Sequence, residues 1–326
     1  MNDVPFDVVG VGANSVDYVY RLPEFPHPDT QAAKLRITHH ALLCGGQTTT
    51  ALCTCAAMGL RARYIGVTGD DENGTLIRRE LEARGVDTEH ACVHHAKNAF
   101  AVILVDDRRG ERVVLWQRDA ALALQHREID PSVVAQSRLV HVDDVDEDAA
   151  ICAASIGRSA GIPVTSDIER VTERTEELVA AVTIPIFAEH VIEQLTGEGD
   201  FERGLRKIRA SRRPGSFGPG QEHVRLKPDT TYDYDVLCVT LGARGAMLLE
   251  GDRLHHAPGL PVEVVDTTGA GDVFRGAFIA ALLRGDSPAN ILRFANAAAA
   301  LSCSRLGAID GIPAMDDVQR ALGFRL

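Results

Sequence analysis

The chain has 326 residues, of which 45% are hydrophobic and 25% charged, a length that suits two small domains or one large α/β domain. No apolar run approaches the ~18 residues that a membrane span needs, and the N-terminus lacks a secretory pattern. The net charge of −12 argues against binding to nucleic-acid phosphates. The seven cysteines lack metal-ligand spacing and are expected to be reduced. We therefore expect a soluble cytoplasmic protein that binds neither membranes nor nucleic acid.

Short β-branched runs alternate with helical patterns along almost the whole chain. This alternation is typical of βαβ units, which form a mainly parallel sheet flanked by helices. A single α/β domain over residues 1–326 is therefore predicted, with its ligands beyond the carboxyl ends of the strands. The predicted strands are 6–11, 63–67, 139–142, 163–166, 183–187 and 236–240, and the predicted helices include 48–58, 76–84 and 148–159.

Three stretches depart from this rhythm. Residues 16–43 alternate without helical spacing, and residues 99–116 predict a hairpin with a polar turn at 106–110. Together they predict a small β layer, either a lid over the site or an ordinary extension of the sheet. Residues 211–231 are rich in glycine and proline and predict a flexible surface insertion.

The most informative stretch is DTTGAGD, which spans residues 266–272. The apolar spacing that follows it predicts a helix that starts near Asp272 and ends at Gly285. A Gly-Ala-Gly turn before a helix presents backbone N–H groups in a space cleared of side chains, and the helix dipole adds positive potential. The sequence therefore predicts an anion hole at Gly269, Ala270 and Gly271.

Asp272 is predicted at the N-cap of this helix, where two interpretations compete. A carboxylate at this position caps a helix by accepting backbone hydrogen bonds. Beside a phosphate-sized anion hole, the same carboxylate can also take a proton from an attacking hydroxyl group. Because a capping aspartate does not require Gly-Ala-Gly before it, the pattern favours phosphoryl transfer.

DTTGAGD and its apolar helix resemble the C-terminal motif of the ribokinase-like carbohydrate kinases, the PfkB family. Supporting segments run from Val8 to about Pro313, so the resemblance covers nearly the whole chain. It implies a ribokinase-like three-layer α/β fold with a β lid, and ATP and Mg²⁺ as cofactors. It also implies that Asp272 is the general base, with Gly269–Asp272 as the anion hole.

Two N-terminal segments resemble the sugar-binding parts of this family. Residues 12–17 follow the first strand, and a carboxylate there can accept hydrogen bonds from two hydroxyl groups of a polyol. A di-glycine precedes the next helix, where a bare backbone allows close approach of a sugar. The family usually has an asparagine where this chain has Thr50. The substrate residues implied by the resemblance are Ser15, Asp17, Gly45, Gly46 and Thr50.

Two later segments resemble the nucleotide side of the family. Residues 239–246 resemble its TLGxxG strand and turn, and residues 294–298 resemble its adenine-pocket helix. That helix is predicted to start at Ser287 and Pro288 and to be terminated by Gly307. The implied ATP-binding residues are Thr240, Gly242, Gly245 and Asn296. The alternative role of Asn296 is packing, with its amide satisfied by other hydrogen bonds. Arg244 either contacts a phosphate or is an exposed surface residue.

The NxxE motif with which the family organises magnesium and phosphates is absent. Its positions hold Ala188 and Val191 here. Glu189 and Glu193 flank it and share a helix face. Glu193 is the candidate to hold a magnesium-bound water, whereas a solvated helix charge is expected for Glu189.

Other polar groups are also assigned by the resemblance. Asp167 follows a strand at a place where the family faces the phosphates, and its alternative is a salt bridge to Arg170. Many relatives bind a monovalent cation, such as K⁺, behind the anion hole. The candidates for that cation here are Asp266, Thr268 and Gly307.

The favoured function is an ATP-dependent kinase of a small carbohydrate, with a ketose or related sugar first. A nucleoside kinase is the alternative within the same fold, since Tyr18, Tyr20 and Trp116 offer aromatic surface for a base. A catalytically silent sugar- or nucleotide-binding protein is the alternative from another class, because Thr50, Ala188 and Val191 depart from the family pattern. The same aromatic residues are candidates for pairing two lids in a homodimer.

Overall fold

The computed structural model describes residues 4–28, 34–108, 111–212 and 236–323. Five parallel strands of mainly buried apolar residues form one part of the central sheet. Burial on both faces explains why these strands read as continuous β-branched runs. In spatial order they are β11 (Val164–Asp167), β10 (Ser137–Asp143), β1 (Phe6–Val11), β4 (Ala62–Ile65) and β6 (Val86–Asp87).

Four further strands continue this layer. Parallel bridges from Thr165 to Ile184 and from Ile168 to Phe187 join the two parts. The first two added strands are parallel and the last two complete an antiparallel hairpin, so the central sheet is mainly parallel, as predicted. Their order is β12 (Ile186–Ala188), β13 (Val236–Thr240), β14 (Ala246–Glu250) and β15 (Arg253–Ala257).

Helices cover both faces of the sheet, which gives the predicted three-layer α/β fold. One hydrophobic cluster contains Leu52, Phe278 and Leu292, and a second contains Ala153 and Ile192. The helices are α1 (Gln47–Ala57), α2 (Glu72–Ala83), α3 (Pro131–Val134), α4 (Glu147–Ser159), α5 (Thr175–Ala181), α6 (Glu189–Thr196), α7 (Phe201–Ser211), α8 (Ala270–Arg284), α9 (Pro288–Ser302) and α10 (Met315–Ala321). Within the described ranges, no helix has the length and apolarity that crossing a membrane requires.

A separate four-stranded sheet, here called the lid sheet, comes from the two stretches that lack helical spacing. In spatial order its strands are β3 (His39–Gly45), β2 (Ser15–Leu22), β8 (Phe100–Asp106) and β9 (Arg112–Gln117). Two short parallel strands, β5 (Val67–Gly69) and β7 (Cys92–His94), lie apart from it. Residues 29–33 and 109–110 of the predicted lid lie outside the described residues.

Several predicted boundaries were wrong. Residues 183–187 contribute a strand only from Ile186, with Ile184 making a single bridge. Helix α9 ends at Ser302, with Cys303 as its C-cap, instead of continuing to Gly307. Ser211 of the predicted insertion belongs to α7, and residues 213–231 of that insertion lie outside the described residues.

Candidate active site

Helix α8 begins at a glycine in the left-handed conformation. Gly269 is its N-cap with φ of 74°, so Asp272 lies in the first turn and not at the predicted N-cap. A β-carbon at Gly269 would lie 2.5 Å from that of Ala308, and one at Gly271 would lie 2.7 Å from Arg275 Nη1. The N–H groups of a first helical turn have no partner within the helix. The turn thus has the bare backbone that an anion hole needs.

Asp272 lies among charged side chains, of which Asp167 and Arg275 are buried and Glu169 is partly exposed. Its side chain is 8% exposed, and one carboxylate oxygen each from Asp167, Glu169 and Asp272 lie within 4.8 Å of one another. Burial raises the pKa of Asp272 well above its ordinary value, and the Glu169 carboxylate raises it further. Arg275 and a hydrogen bond with Asp167 act in the opposite direction. A buried carboxylate beside the turn is therefore under strong electrostatic control.

Asp167 does not form the salt bridge to Arg170 that the sequence offered as an alternative. It pairs with Arg275, whose Nη2 lies 2.5 Å from Asp167 Oδ1 with both side chains buried. Arg170 instead contacts Asp144, which follows β10 and accepts the backbone N–H groups of Glu169 and Arg170 at 2.7 Å each. Asp144 thereby holds the segment after β11 and leaves Asp167 to face α8.

The predicted sugar residues lie together at the start of the lid sheet. Asp17 is buried on β2 and accepts a hydrogen bond of 3.0 Å from the Ser15 hydroxyl. Burial raises its pKa, and the Asp266 carboxylate raises it further. A β-carbon at Gly45 would lie 3.0 Å from Asp17 Oδ2, so the missing side chain keeps this carboxylate accessible from the β3 side.

The predicted sugar residues and the Gly269–Gly271 turn, here called the anion turn, are lined by a shared wall of residues. The β-carbon position of Gly45 lies 3.7 Å from Ala308, and that of Gly269 lies 3.5 Å from Thr50 Cγ2. The buried Thr50 hydroxyl has no hydrogen-bond partner among the described residues. Thr50 therefore offers a polar group next to the turn, at the position where the family usually carries an asparagine. Sequence reasoning did not single out Ala308, which no local pattern distinguishes.

Asp143 at the end of β10 is another buried carboxylate, and sequence reasoning missed it. It accepts hydrogen bonds from the Ala13 N–H at 2.7 Å and the Thr48 hydroxyl at 2.8 Å. Burial raises its pKa to about 6. A β-carbon at Gly12 would lie 2.1 Å from its Oδ2, so this glycine is required for the contact. Its place at the carboxyl end of a predicted strand was the available signal.

The three predicted monovalent-cation residues lie together, but they are bonded to one another. Asp266 accepts hydrogen bonds from the Thr268 N–H and hydroxyl and from the Gly307 N–H, at 2.7–2.9 Å. Arg112 of the lid sheet donates to the Thr268 hydroxyl at 2.8 Å and lies 3.7 Å from Asp266. These donors already use the oxygens of the Asp266 carboxylate. The described contacts therefore fit a loop held by its own hydrogen bonds better than a cation site. Binding of K⁺ stays a prediction.

Two of the four predicted nucleotide residues, Asn296 and Gly245, meet at the end of β15. The Asn296 amide donates to the Ala257 carbonyl at 2.8 Å, which is the satisfied amide of the alternative interpretation. A β-carbon at Gly245 would lie 2.0 Å from the same carbonyl oxygen, whereas one at Gly242 would meet open space. Thr240 donates weakly to Phe187 at 3.3 Å. These contacts explain the local structure and leave nucleotide binding as a proposal.

Helix α6 carries the residues that replace the family's NxxE motif. Ala188 is its N-cap and Val191 is buried in the core. Glu189 is exposed and pairs at 2.6 Å with Arg244, which is also exposed. Glu193 is exposed and is not part of the carboxylate group around Asp272. The magnesium role of Glu193 stays a prediction.

The carboxylate group has the spacing of a cation site, but it already contains a cation. The Arg275 guanidinium lies 2.5 Å from Asp167 and 4.0 Å from Glu169, and it is 1% exposed. A divalent ion held directly by the three carboxylates would face this buried positive charge. The residues therefore do not fit a resident metal ion, and magnesium is treated below as part of the nucleotide substrate.

A helix that opens on an anion-binding turn, with a carboxylate in its first turn, can stabilise a transferring phosphoryl group and deprotonate the hydroxyl that attacks it. The fold and the site together define an α/β kinase.

Comparison with known proteins gives the family. The pfkB family carbohydrate kinase model matches residues 7–315, so the chain belongs to this family and is an ATP-dependent carbohydrate kinase. It is 29% identical to the ATP-dependent ribose-1-phosphate kinase of Halopiger xanaduensis over 98% of each chain. It is 25% identical to the nucleoside kinase of Methanothermobacter thermautotrophicus, over 94% of this chain and 92% of that one.

A solved structure confirms the fold. Arabidopsis thaliana ribokinase, complexed with ribose and ATP, superposes with a TM-score of 0.79 at 24% identity, covering 98% of this chain and 99% of that one. The ribokinase-like fold predicted from the DTTGAGD motif is thereby confirmed.

Proposed function

We propose that this kinase transfers the γ-phosphoryl group of ATP to a hydroxyl group of a small sugar, with Asp272 as general base. The single observation that carries the proposal is the burial of Asp272 in the first turn of α8, beside the Gly269–Gly271 turn. Magnesium enters with ATP as part of the nucleotide substrate, where it neutralises phosphate charge.

The transfer step assigns one role to the sugar residues and another to the anion turn. Asp17 and Thr50 orient the acceptor, and Asp272 takes the proton of the attacking hydroxyl. A bond forms between that oxygen and the γ-phosphorus while the bond from the γ-phosphorus to the β–γ bridging oxygen breaks, and ADP leaves. Backbone N–H groups at residues 269–272 stabilise the charge on the transferring group. Closure of the lid sheet excludes water, which would otherwise accept the phosphoryl group.

A sugar, and first a ketose or related sugar, fits this site better than a nucleoside. Strand alternation places Tyr18 and Tyr20 on the face of the lid sheet opposite to Asp17. The Tyr18 hydroxyl is bonded to Asn73, and its ring contacts Phe100 edge-on. The strand register places Trp116 on the same face as Asp17, and this observation keeps a nucleoside acceptor as the second candidate.

The test is ADP release from MgATP with each of a panel of ketoses, aldoses, sugar acids, sugar phosphates and nucleosides. Stimulation by one sugar that falls at least ~10²-fold in Asp272→Asn is expected, because general-base catalysis contributes about that much. Calorimetric titration of the variant with ATP controls for folding and nucleotide binding. Stimulation by nucleosides alone would select the second candidate. ATP or sugar binding without any turnover would instead indicate a silent binding protein.

A further inference from the structure

Arg275 is a basic residue in the buried part of helix α8. Every residue of α8 from Asp272 to Leu282 is buried, and the side chain of Arg275 is 1% exposed. Burying an unpaired guanidinium is costly, so such a residue requires a compensating partner. Asp167 at the end of β11 provides that partner at 2.5 Å. Arg275 is thus held against the sheet, three residues after the proposed base.

The guanidinium also lies against the anion turn. A β-carbon at Gly271 would lie 2.7 Å from Arg275 Nη1, and Glu169 Oε1 lies 4.0 Å from the same nitrogen. His141 of β10 is buried, and its pKa is lowered to about 3 by burial and by the charge of Arg275. His141 is therefore neutral at physiological pH, and Arg275 is the positive side chain of this group.

Three carboxylates share this one positive charge. Asp167, Glu169 and Asp272 lie within 4.8 Å of one another, and Asp143 of β10 adds further negative charge. Glu169 and Asp143 both raise the pKa of Asp272, whereas Arg275 lowers it. A general base must be ionised to accept a proton, so the base needs the cation more here than at an exposed site.

We propose that Arg275 is a positioning residue for phosphoryl transfer: anchored by Asp167, its charge favours the ionised form of the Asp272 carboxylate beside the Gly269–Gly271 turn, and Glu169 opposes it. The inference rests on the proposed role of Asp272 as general base. Arg275 acts through its charge on Asp272.

The first test is the pH dependence of kcat/KM for the sugar, whose acid limb reports ionisation of the base in the free enzyme. Arg275→Met is expected to move this limb to higher pH by about 1 unit or more, and Glu169→Gln is expected to move it to lower pH. Arg275→Lys keeps the charge and leaves the limb close to wild type. Glu176→Gln makes the same charge change as Glu169→Gln at an exposed site on α5 and leaves the limb in place.

A purely structural role for Arg275 would lower activity at every pH without these opposite shifts. Limbs that stay in place, or that move in the same direction in both variants, would overturn the proposal. Because Arg275→Met leaves Asp167 buried without its cation, the double variant Arg275→Met/Asp167→Asn provides a neutral pair if the single variant does not fold.

A second readout does not depend on turnover. The free energy of unfolding is measured by urea denaturation across pH, and each protein is compared with the same protein carrying Asp272→Asn. The pKa of Asp272 is raised in the folded state, so the Asp272-dependent stability falls as pH rises from the unfolded pKa towards the folded one. That fall should extend to higher pH in Arg275→Met and to lower pH in Glu169→Gln.

The two readouts separate two kinds of failure. If the unfolding data show both shifts and no sugar supports turnover, the proposed function is wrong and the charge relation stands. If a sugar kinase activity that depends on Asp272 is found while neither readout shifts, the function stands and the role of Arg275 is wrong.

Discussion

The backbone conformation of Gly269 shapes the proposed anion turn. Its φ of 74° lies in the left-handed region that other residues rarely adopt, and the space of its missing β-carbon is filled by Ala308. Gly285 at the other end of α8 has a similar φ of 83° but faces open space. Substitution at Gly285 therefore introduces left-handed backbone strain alone, whereas substitution at Gly269 introduces the same strain and also disturbs the anion turn.

Gly269→Ala keeps the backbone N–H group but is expected to displace the turn and so to lower kcat by at least ~10²-fold, because loss of one preorganised oxyanion donor costs about that much. It should also destabilise the fold through the contact with Ala308. Gly285→Ala is the matched control, with a loss of about 1 kcal/mol from left-handed strain and an unchanged kcat. Sugar-dependent ADP release and urea denaturation measure the two effects. Equal kcat values in the two variants would show that the turn does not contribute to catalysis.

At the scale of elements, a buried polar network fixes the loop between β1 and β2. The Tyr64 hydroxyl donates to the Gly12 carbonyl and accepts from the Asn14 amide, both at 2.9 Å. Asn14 in turn accepts from the Asn98 amide at 2.9 Å, just before β8 of the lid sheet. The network thus ties the central sheet to both segments of the lid sheet.

Tyr64→Phe is expected to destabilise the fold by about 1–3 kcal/mol, since it leaves two buried polar groups without their partner. Urea denaturation measures the loss. Tyr20→Phe on the lid sheet makes the same chemical change at a partly exposed site and should cost less than about 0.5 kcal/mol. Similar losses in the two variants would contradict the structural role of the network.

A second contact joins the lid sheet to the loop before α8. Arg112 at the start of β9 donates to the Thr268 hydroxyl at 2.8 Å. This side chain therefore connects the lid sheet with the loop that precedes helix α8.

Arg112→Gln is expected to raise the sugar KM about fivefold, because one net hydrogen bond is worth about 1 kcal/mol. It should also increase ADP release without sugar, since a looser lid admits water. Arg108→Gln, which removes a pair with Glu24 at 2.8 Å within the same part of the chain, is the control. Unchanged KM and unchanged background hydrolysis would exclude a role of this contact in closure.

At the scale of the whole molecule, one edge of the lid sheet is apolar and exposed. Strand β9 is exposed along its length, and Trp116 has 72% of its surface accessible. Leu115 is also more than half exposed. Exposed apolar strands at sheet edges favour association with another chain. A homodimer through the lid sheet stays a prediction, and the exposed strand β9 is the surface at which it would form.

Trp116→Glu is expected to shift the chain from dimer to monomer, because a charge would be buried in the contact. Sedimentation velocity over a range of concentrations measures the shift. Glu176→Gln, on the surface of α5, is the control and should leave the sedimentation coefficient unchanged. A wild-type chain that stays monomeric at all concentrations would contradict the prediction.

The motif around α8 shows how far local pattern carries. The apolar spacing predicted a helix that starts near Asp272 and ends at Gly285, and the helix does end at this left-handed glycine. The predicted N-cap, Asp272, was wrong by three residues, because the conformation of Gly269 is a backbone property that residue type does not settle. Arg275 was visible as the only charge in an apolar run, yet its partner Asp167 lies on a distant strand.

The amino-acid sequence by itself determined the α/β class, because alternating strand and helix patterns are local, and the family, because the DTTGAGD motif resembles that of the ribokinase-like kinases. The tertiary structure alone decided which charges meet. The Arg275–Asp167 pair, the place of Asp143 and the wall through Ala308 all join residues far apart in the chain. Such contacts depend on strand order, register and helix rotation, and these are set by how the whole core packs.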